Sequence, residues 1–330
     1  MFICSFENIT MVQKTLAKYF FKALLFALPV LFYVLIILVV DPYNFIGLFK
    51  VIDDKDKFLV VQRTDESSPR GNILWKTVAF RQNPTPNIII GDSQGKDIDV
   101  SIIKRNTGED YFNFCAPGAS FSTIFKTFWF ATEQTRIKKV CFQLAFMNYN
   151  LEREYDLWHF SENYFKRPYE YFTTKEIFFD AVANVAWAVT RDKRIISRSY
   201  EFLPPGKMEN LAQSRLSLFF SKYSYPQVYK DELVKIAQYC NENGIEYSFL
   251  ILPVYKGVDE HLAKNNLFDD YLKFKEDIYS LGYTYDLDML AGLKQNRSNF
   301  IDYFHPTQKV MDSLTVIVWP ADTAKSQALK

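Results

Sequence analysis

Histidine is almost missing from this chain: 330 residues hold three, His159, His261 and His305. A reaction that needs an imidazole base has few places to find one. Glycine is scarce at 11 residues, which excludes collagen-like and glycine-rich fibrous chains. The four cysteines, Cys4, Cys115, Cys141 and Cys240, lie far apart, and no pair has zinc-knuckle or redox-motif spacing. That argues against a disulfide framework, and scattered histidines with no carboxylate cluster at ligand spacing argue against a metal site. No metal and no other cofactor is expected. Charge of one sign is also lacking, with 39 Lys plus Arg against 38 Asp plus Glu. A net charge of +1 gives no field for nucleic acid, so function must come from a local site.

Apolar side chains are plentiful, at 48% hydrophobic and 17% aromatic residues, which rules out disorder as the dominant state. The length fits one large domain or two small ones. Ala23 to Val40 reads ALLFALPVLFYVLIILVV, 18 residues without a charge. As a helix this spans about 27 Å, close to the hydrocarbon thickness of a bilayer. Pro29 is tolerated there. Residues 1–22 are read as a short cytoplasmic tail and 23–40 as an uncleaved transmembrane signal anchor, because no small-residue cleavage site follows. A buried core helix is the alternative. Lys14, Lys18 and Lys22 precede the segment, whereas Lys50, Lys55 and Lys57 behind it are interleaved with Asp53, Asp54 and Asp56. Positive-inside bias then places the N-terminus in the cytoplasm and the main domain outside, at the cell membrane. Met11 is a more natural start for such an anchor than Met1.

Residues 41–86 read as a connector packing on the domain, with Ser67-Ser68-Pro69-Arg70-Gly71 as a loop. Strands are predicted at Asn87–Ile90, Tyr111–Ala116, Lys139–Phe146, Ile245–Leu252 and Tyr283–Leu287, each a short apolar run bounded by turn residues. A polar helix is predicted at Asp97–Lys104. Phe121, Ile124, Phe125, Phe128 and Trp129 form the core stripe of another. Further helices are expected near Lys175–Val189 and at Asp231–Asn243 with Gly244 as its cap, and Pro204-Pro205-Gly206 is read as a break. Short apolar strands alternating with helices predict an α/β fold, a three-layer sandwich with a parallel sheet, over residues 87–317. An insertion interrupts it at about 148–226, and 318–330 is left as a C-terminal tail.

Ligands of open parallel sheets sit at the carboxyl ends of the strands. The polar residues there are Asp92-Ser93, Gly118, Asn148 and Asn150. Far downstream stands Phe300-Ile301-Asp302-Tyr303-Phe304-His305-Pro306. A serine nucleophile needs a base, the base an orienting carboxylate, and the oxyanion hydrogen-bond donors. Ser93, His305, Asp302, Gly118 and Asn148 supply one of each. Gly91-Asp92-Ser93-Gln94-Gly95 also fits Gly-x-Ser-x-Gly, the nucleophile elbow of α/β-hydrolases. That fold places strands before the elbow, whereas here the serine follows the first recognisable strand.

These residues resemble the SGNH or GDSL-type hydrolases. Ile90-Gly91-Asp92-Ser93 matches the first block of that family, with Gln94 in place of its leucine. Asn113-Phe114-Cys115-Ala116-Pro117-Gly118 is compatible with the glycine block, Phe146-Met147-Asn148-Tyr149-Asn150 stands for the asparagine block, and Asp302 with His305 matches the last. The resemblance implies a flavodoxin-like parallel sheet, Ser93 as nucleophile, and Gly118 and Asn148 as oxyanion donors, with Asn150 as the alternative to Asn148. It implies serine esterase or O-acyltransferase chemistry through an acyl-enzyme.

A single anchor with an outward-facing domain, together with Asp41-Pro42-Tyr43, resembles bacterial envelope proteins that partner polytopic membrane O-acyltransferases. These add or remove acyl groups, often acetyl, on glycan polymers. The alternatives are a plain acylesterase or lipase, and a non-catalytic membrane-tethered binding or assembly protein of the same fold. The partners expected are the lipid bilayer, such an acyltransferase, and a glycan or acyl-ester substrate. The insertion carries Tyr155, Trp158, Phe160, Tyr164, Phe165, Tyr169, Tyr171 and Phe172, read as packing or bilayer contact ahead of a sugar platform.

Overall fold

The computed structural model describes residues 3–64, 67–196 and 205–321. Met1, Pro204 and the tail from 322 onward lie outside them, so the choice between Met1 and Met11 is not addressed by the fold. The chain opens with α1 (Ile3–Val40), α2 (Asp54–Val61) and α3 (Ser67–Gln82). The sheet begins with β1 (Asn87–Ile90), then α4 (Val100–Thr107), β2 (Phe112–Asn113), α5 (Phe121–Gln134) and β3 (Lys139–Gln143). A helical stretch follows: α6 (Trp158–Lys166), α7 (Tyr169–Thr173), α8 (Lys175–Thr190), α9 (Pro205–Phe220) and α10 (Gln227–Asn243). The chain ends with β4 (Glu246–Ile251), α11 (Lys256–Lys264), α12 (Phe268–Tyr279), β5 (Thr284–Asp286), α13 (Ala291–Gln295) and α14 (Gln308–Val318).

The chain divides into two compact units, residues 1–61 with 164–195, and residues 62–163 with 196–330. In the second unit all five strands pair parallel, in the order β2-β1-β3-β4-β5. This is the flavodoxin-like order of a doubly wound sheet. No strand precedes β1 among the described residues, which removes the α/β-hydrolase arrangement. Every residue of β1 is buried, as a central strand covered on both faces requires. One face packs Ile89, Cys141 and Leu250 against Ile103 of α4 and Met311 and Leu314 of α14. On the other, Phe142 packs against Phe128 of α5 and stacks on Phe249 of β4. Phe121, Ile124, Phe125 and Phe128 are buried as the stripe predicts, while the half-buried Trp129 donates Nε1–H to Glu232 of α10. Cys115, Cys141 and Cys240 are free, buried thiols, and the Cys4 side chain lies outside the description.

Several boundaries differ from the sequence reading for local reasons. Ser67–Gly71, expected as a loop, opens α3. Thr64 and Ser67 each accept the other's backbone N–H through their hydroxyls, a reciprocal cap, and Pro69 stands in the first turn, where no N–H is needed. The helix expected from Asp97 starts at Val100, because Asp99 accepts the Ser101 N–H as N-cap. β2 stops at Asn113, whose side-chain amide bonds the carbonyls of Gly95, Lys96 and Ile98 and takes the Cys115 N–H. The sheet core runs past 317, since Val318 and Trp319 are buried in it.

In the first unit, Leu16–Val40 is a helix long and apolar enough to cross a membrane, with a mean hydropathy of 3.0 over an 18-residue stretch of it. Phe20, Phe26 and Phe32 point outward from it, whereas Ile37 and Val40 near its end are buried. The chain turns at Asp41, whose buried carboxylate accepts the backbone N–H groups of Phe45, Ile46 and Gly47 and the Tyr171 hydroxyl. Tyr43 donates to Asp180 at 2.7 Å, and Tyr33 stacks on Phe178. Asp41-Pro42-Tyr43 thus fastens the apolar helix to α7 and α8. Of the insertion's aromatics, Trp158, Tyr164 and Tyr171 are buried as packing residues, and Tyr155 and Tyr169 are exposed.

Candidate active site

The turn after β1 is shaped by what surrounds its backbone. A side chain at Gly91 would meet the Gln143 backbone oxygen at 2.7 Å, and one at Gly95 would meet Cys115 Sγ at 2.6 Å. Gln143, the last residue of β3, turns its amide oxygen to the N–H groups of Asp92 and Gly95, at 3.0 and 3.2 Å. Asp92 accepts the Gln94 N–H and the Asn148 Nδ2–H. Burial pushes its carboxyl above the usual range, against the hydrogen bonds that favour the anion. These bonds fix the turn and leave Ser93 projecting from it.

Ser93 Oγ lies 2.8 Å from His305 Nε2. On the far side of the ring, Nδ1 is 2.8 and 2.9 Å from the two oxygens of Asp302. An ionised carboxylate only accepts, so the ring proton sits on Nδ1, and Nε2 of the neutral imidazole accepts from the serine hydroxyl. Asp302 is ionised: burial opposes it, but the His305 charge when the ring is protonated, the His305 hydrogen bond and the backbone N–H groups of Phe304 and His305 hold its pKa far below the usual value. Asp302 and His305 share one loop, bridged by the Phe300–Pro306 β-contact. Gln94 ties that loop to the serine turn, donating Nε2–H to the Phe304 carbonyl at 2.9 Å.

A cavity of about 530 Å³ opens over the serine, lined by Ser93, Gly118, Arg153, Arg215, Phe219 and His305 among others. Gly118 has φ +74, a conformation L side chains rarely adopt. Neither its N–H nor that of Ser93 bonds another group among the described residues. Asn148 is buried and spends one amide hydrogen on Asp92, leaving the other. Asn150 is committed elsewhere, to Lys222, Ser224 and Glu152. Sequence reasoning missed Gln143, Arg153 and Arg215; the arginines lie in the insertion, where no spacing marks them as site residues. His159 bonds the Asp156 carbonyl, and His261 sits against Phe220. Among the described residues no group of His, Cys, Asp and Glu is arranged to hold a metal.

Fold and site together describe a parallel α/β sandwich carrying a serine–histidine–aspartate chain at the carboxyl edge of its sheet. No family model and no curated protein matches this sequence. Among solved structures it is similar to a protein provisionally described as a platelet activating factor from Streptococcus pneumonia, at 12% identity and a TM-score of 0.36, covering 76% of this chain and 92% of that one. It is also similar to a provisionally described acylhydrolase from Bacteroides fragilis, at 10% identity and a TM-score of 0.35, covering 76% of this chain and 90% of that one. At this distance the functional reading rests on the site itself.

Proposed function

We propose that this protein is a membrane-anchored serine acyl-transfer enzyme of the SGNH type, acting on O-acyl esters. The observation that carries the proposal is the continuous hydrogen-bonded chain from Ser93 Oγ through His305 to Asp302, facing an open cavity. Ser93 Oγ attacks the acyl carbon as its proton passes to His305 Nε2, and Asp302 orients the ring and stabilises the imidazolium. The N–H groups of Ser93 and Gly118 and the second Asn148 amide hydrogen are the donors for the oxyanion. The imidazolium then protonates the leaving alcohol. Water or a sugar hydroxyl, losing its proton to His305, then attacks the acyl carbon, the bond to Ser93 Oγ breaks, and the imidazolium returns a proton to Oγ.

The apolar Leu16–Val40 helix supports anchoring in a cell membrane, and the lysines ahead of it support an extracytoplasmic domain. An envelope glycan of a bacterial cell, acetylated or deacetylated in concert with a polytopic acyltransferase, is the substrate proposed for such a placement. A plain acylesterase or lipase uses the same residues. A non-catalytic tether is disfavoured by the 2.8 Å approach of His305 to Ser93. The test is fluorophosphonate labelling of the detergent-solubilised chain. Wild type should be labelled and Ser93→Ala should not, with the fold retained; equal labelling of both would overturn the assignment.

A further inference from the structure

We propose that the cavity beside Ser93 holds an anion-binding subsite centred on Arg153, so that the ester substrate carries a carboxylate or phosphate group. The inference deepens, and rests on, the reading of Ser93 as nucleophile. Arg153 ends a short 3-10 turn, Leu151–Arg153, whose base is fixed by Asn150: its oxygen takes the Glu152 and Ser224 N–H groups, and its amide donates to the Lys222 carbonyl at 2.7 Å. The guanidinium lies 4.0 Å over the Phe219 ring, a flat apolar backing, and Arg153 lines the cavity.

Its charge is not answered by the protein. Among the described residues the Arg153 side chain has no hydrogen bond and no ion pair, and its buried Nε is an unpartnered donor. A half-buried cation without a partner is costly, and desolvation holds its pKa below the usual arginine value. The nearby carboxylates are engaged. Asp97 pairs with Lys96, Asp302 holds His305 with Arg215 at 3.8 Å, and Asp92 is buried behind the turn with its oxygens on Gln94 and Asn148. Lys96 and Arg215 line the same cavity and add to its positive potential. A planar guanidinium lining an open cavity is the geometry that takes carboxylate or phosphate, two bonds at a time.

Two measurements on the detergent-solubilised full chain test this. In the first, inorganic phosphate or succinate is titrated at constant ionic strength and thermal unfolding is followed. The midpoint of wild type should rise with the anion, that of Arg153→Gln should not, and Arg153→Lys, which keeps the charge, should recover part of the shift. No rise in wild type, or an equal rise in Arg153→Gln, overturns the subsite. In the second, kcat/KM is compared within two ester pairs, p-nitrophenyl hydrogen succinate against p-nitrophenyl butyrate, and 4-acetoxyphenyl phosphate against phenyl acetate. Wild type should favour the charged member of at least one pair by roughly tenfold or more, as one good charge-assisted contact predicts, and Arg153→Gln should bring that ratio toward one. The responding pair tells whether the anion belongs to the acyl group or to the alcohol. Ratios near one in both wild-type pairs overturn the inference while leaving the nucleophile intact. Failure of wild type to cleave any ester overturns the acyl-transfer reading, and the titration alone then decides the anion site.

Discussion

Asp302 is the residue whose environment says most about how the site works. Its two oxygens face His305 Nδ1, and one also takes the N–H groups of Phe304 and His305, so the loop is built around an anion. Because its pKa is held far below the usual value, it stays ionised throughout the neutral and mildly acidic range. Activity lost on mild acidification is therefore not lost through protonation of Asp302. The sign for stability follows from the same depression. The contribution of Asp302 is present above its unfolded pKa of about 3.9 and is lost only as pH falls below that toward the lower folded value. His305→Ala should lower kcat by roughly the same factor as Ser93→Ala, on the order of 10⁴ to 10⁶, since neither His159 nor His261 bonds the serine. Asp302→Asn should cost less, on the order of 10² to 10⁴, because the aspartate orients without taking the proton. A His305→Ala enzyme with near wild-type kcat would remove the imidazole from the mechanism.

At the scale of elements, the question is what keeps two loops more than 200 positions apart in sequence within hydrogen-bond reach. The direct cross-link is Gln94, which donates to the Phe304 carbonyl and accepts from Gln143, all in buried surroundings. Gln94→Leu would restore the residue usual in the resembled family but leave that carbonyl and the Gln143 amide unpaired, at about 1–3 kcal/mol. The expected result is a lower unfolding midpoint together with a lower kcat, read by thermal melts and ester turnover. An unchanged midpoint would show that the loops are held together by other contacts. Gln94 was legible only as a departure from a motif, because its partner lies on a loop that sequence spacing cannot place. Ser93 stood out because it directly follows β1, at the strand end where ligands of a parallel sheet gather, whereas Asp302 and His305 lie beyond α13, away from any strand end, and stood out only by their spacing. Apolar runs marked the strands through burial on both faces. What sequence periodicity could not see was local side-chain chemistry: the Thr64–Ser67 cap that turns an apparent loop into α3, and the Asn113 amide that ends β2. Nor does an apolar run tell a lipid-facing residue from a protein-facing one, and Ile37 and Val40 in the expected membrane segment are buried by protein.

For the molecule as a whole, the proposed anchoring makes the side of the membrane on which the parallel sheet would stand the property that selects the substrates open to Ser93. The lysines on the two sides of the apolar helix are equal in number but unequal in effect. Lys18 and Lys22 on the N side are exposed. On the other side Lys57 is buried, its ammonium bonded to the Asp41 carbonyl and to Asn44, and burial lowers its pKa. Arg191 is paired with Asp56, and Asp53 and Asp54 stand close by in sequence. Lysine that is already held by protein is a weak topological signal, so the positive-inside bias rests on the N-terminal group. The main domain should therefore lie outside the cytoplasm. A reporter fused after Lys330 that is active only in the cytoplasm should be silent in cells, while one active only outside should report. Replacing Lys14, Lys18 and Lys22 together with glutamate should weaken or invert the result, since Lys50 and Lys55 behind the helix are exposed and would then carry the positive-inside bias. A strong cytoplasmic signal from the unaltered chain would refute the orientation, and would exclude an envelope glycan as substrate while leaving the chemistry of Ser93 untouched.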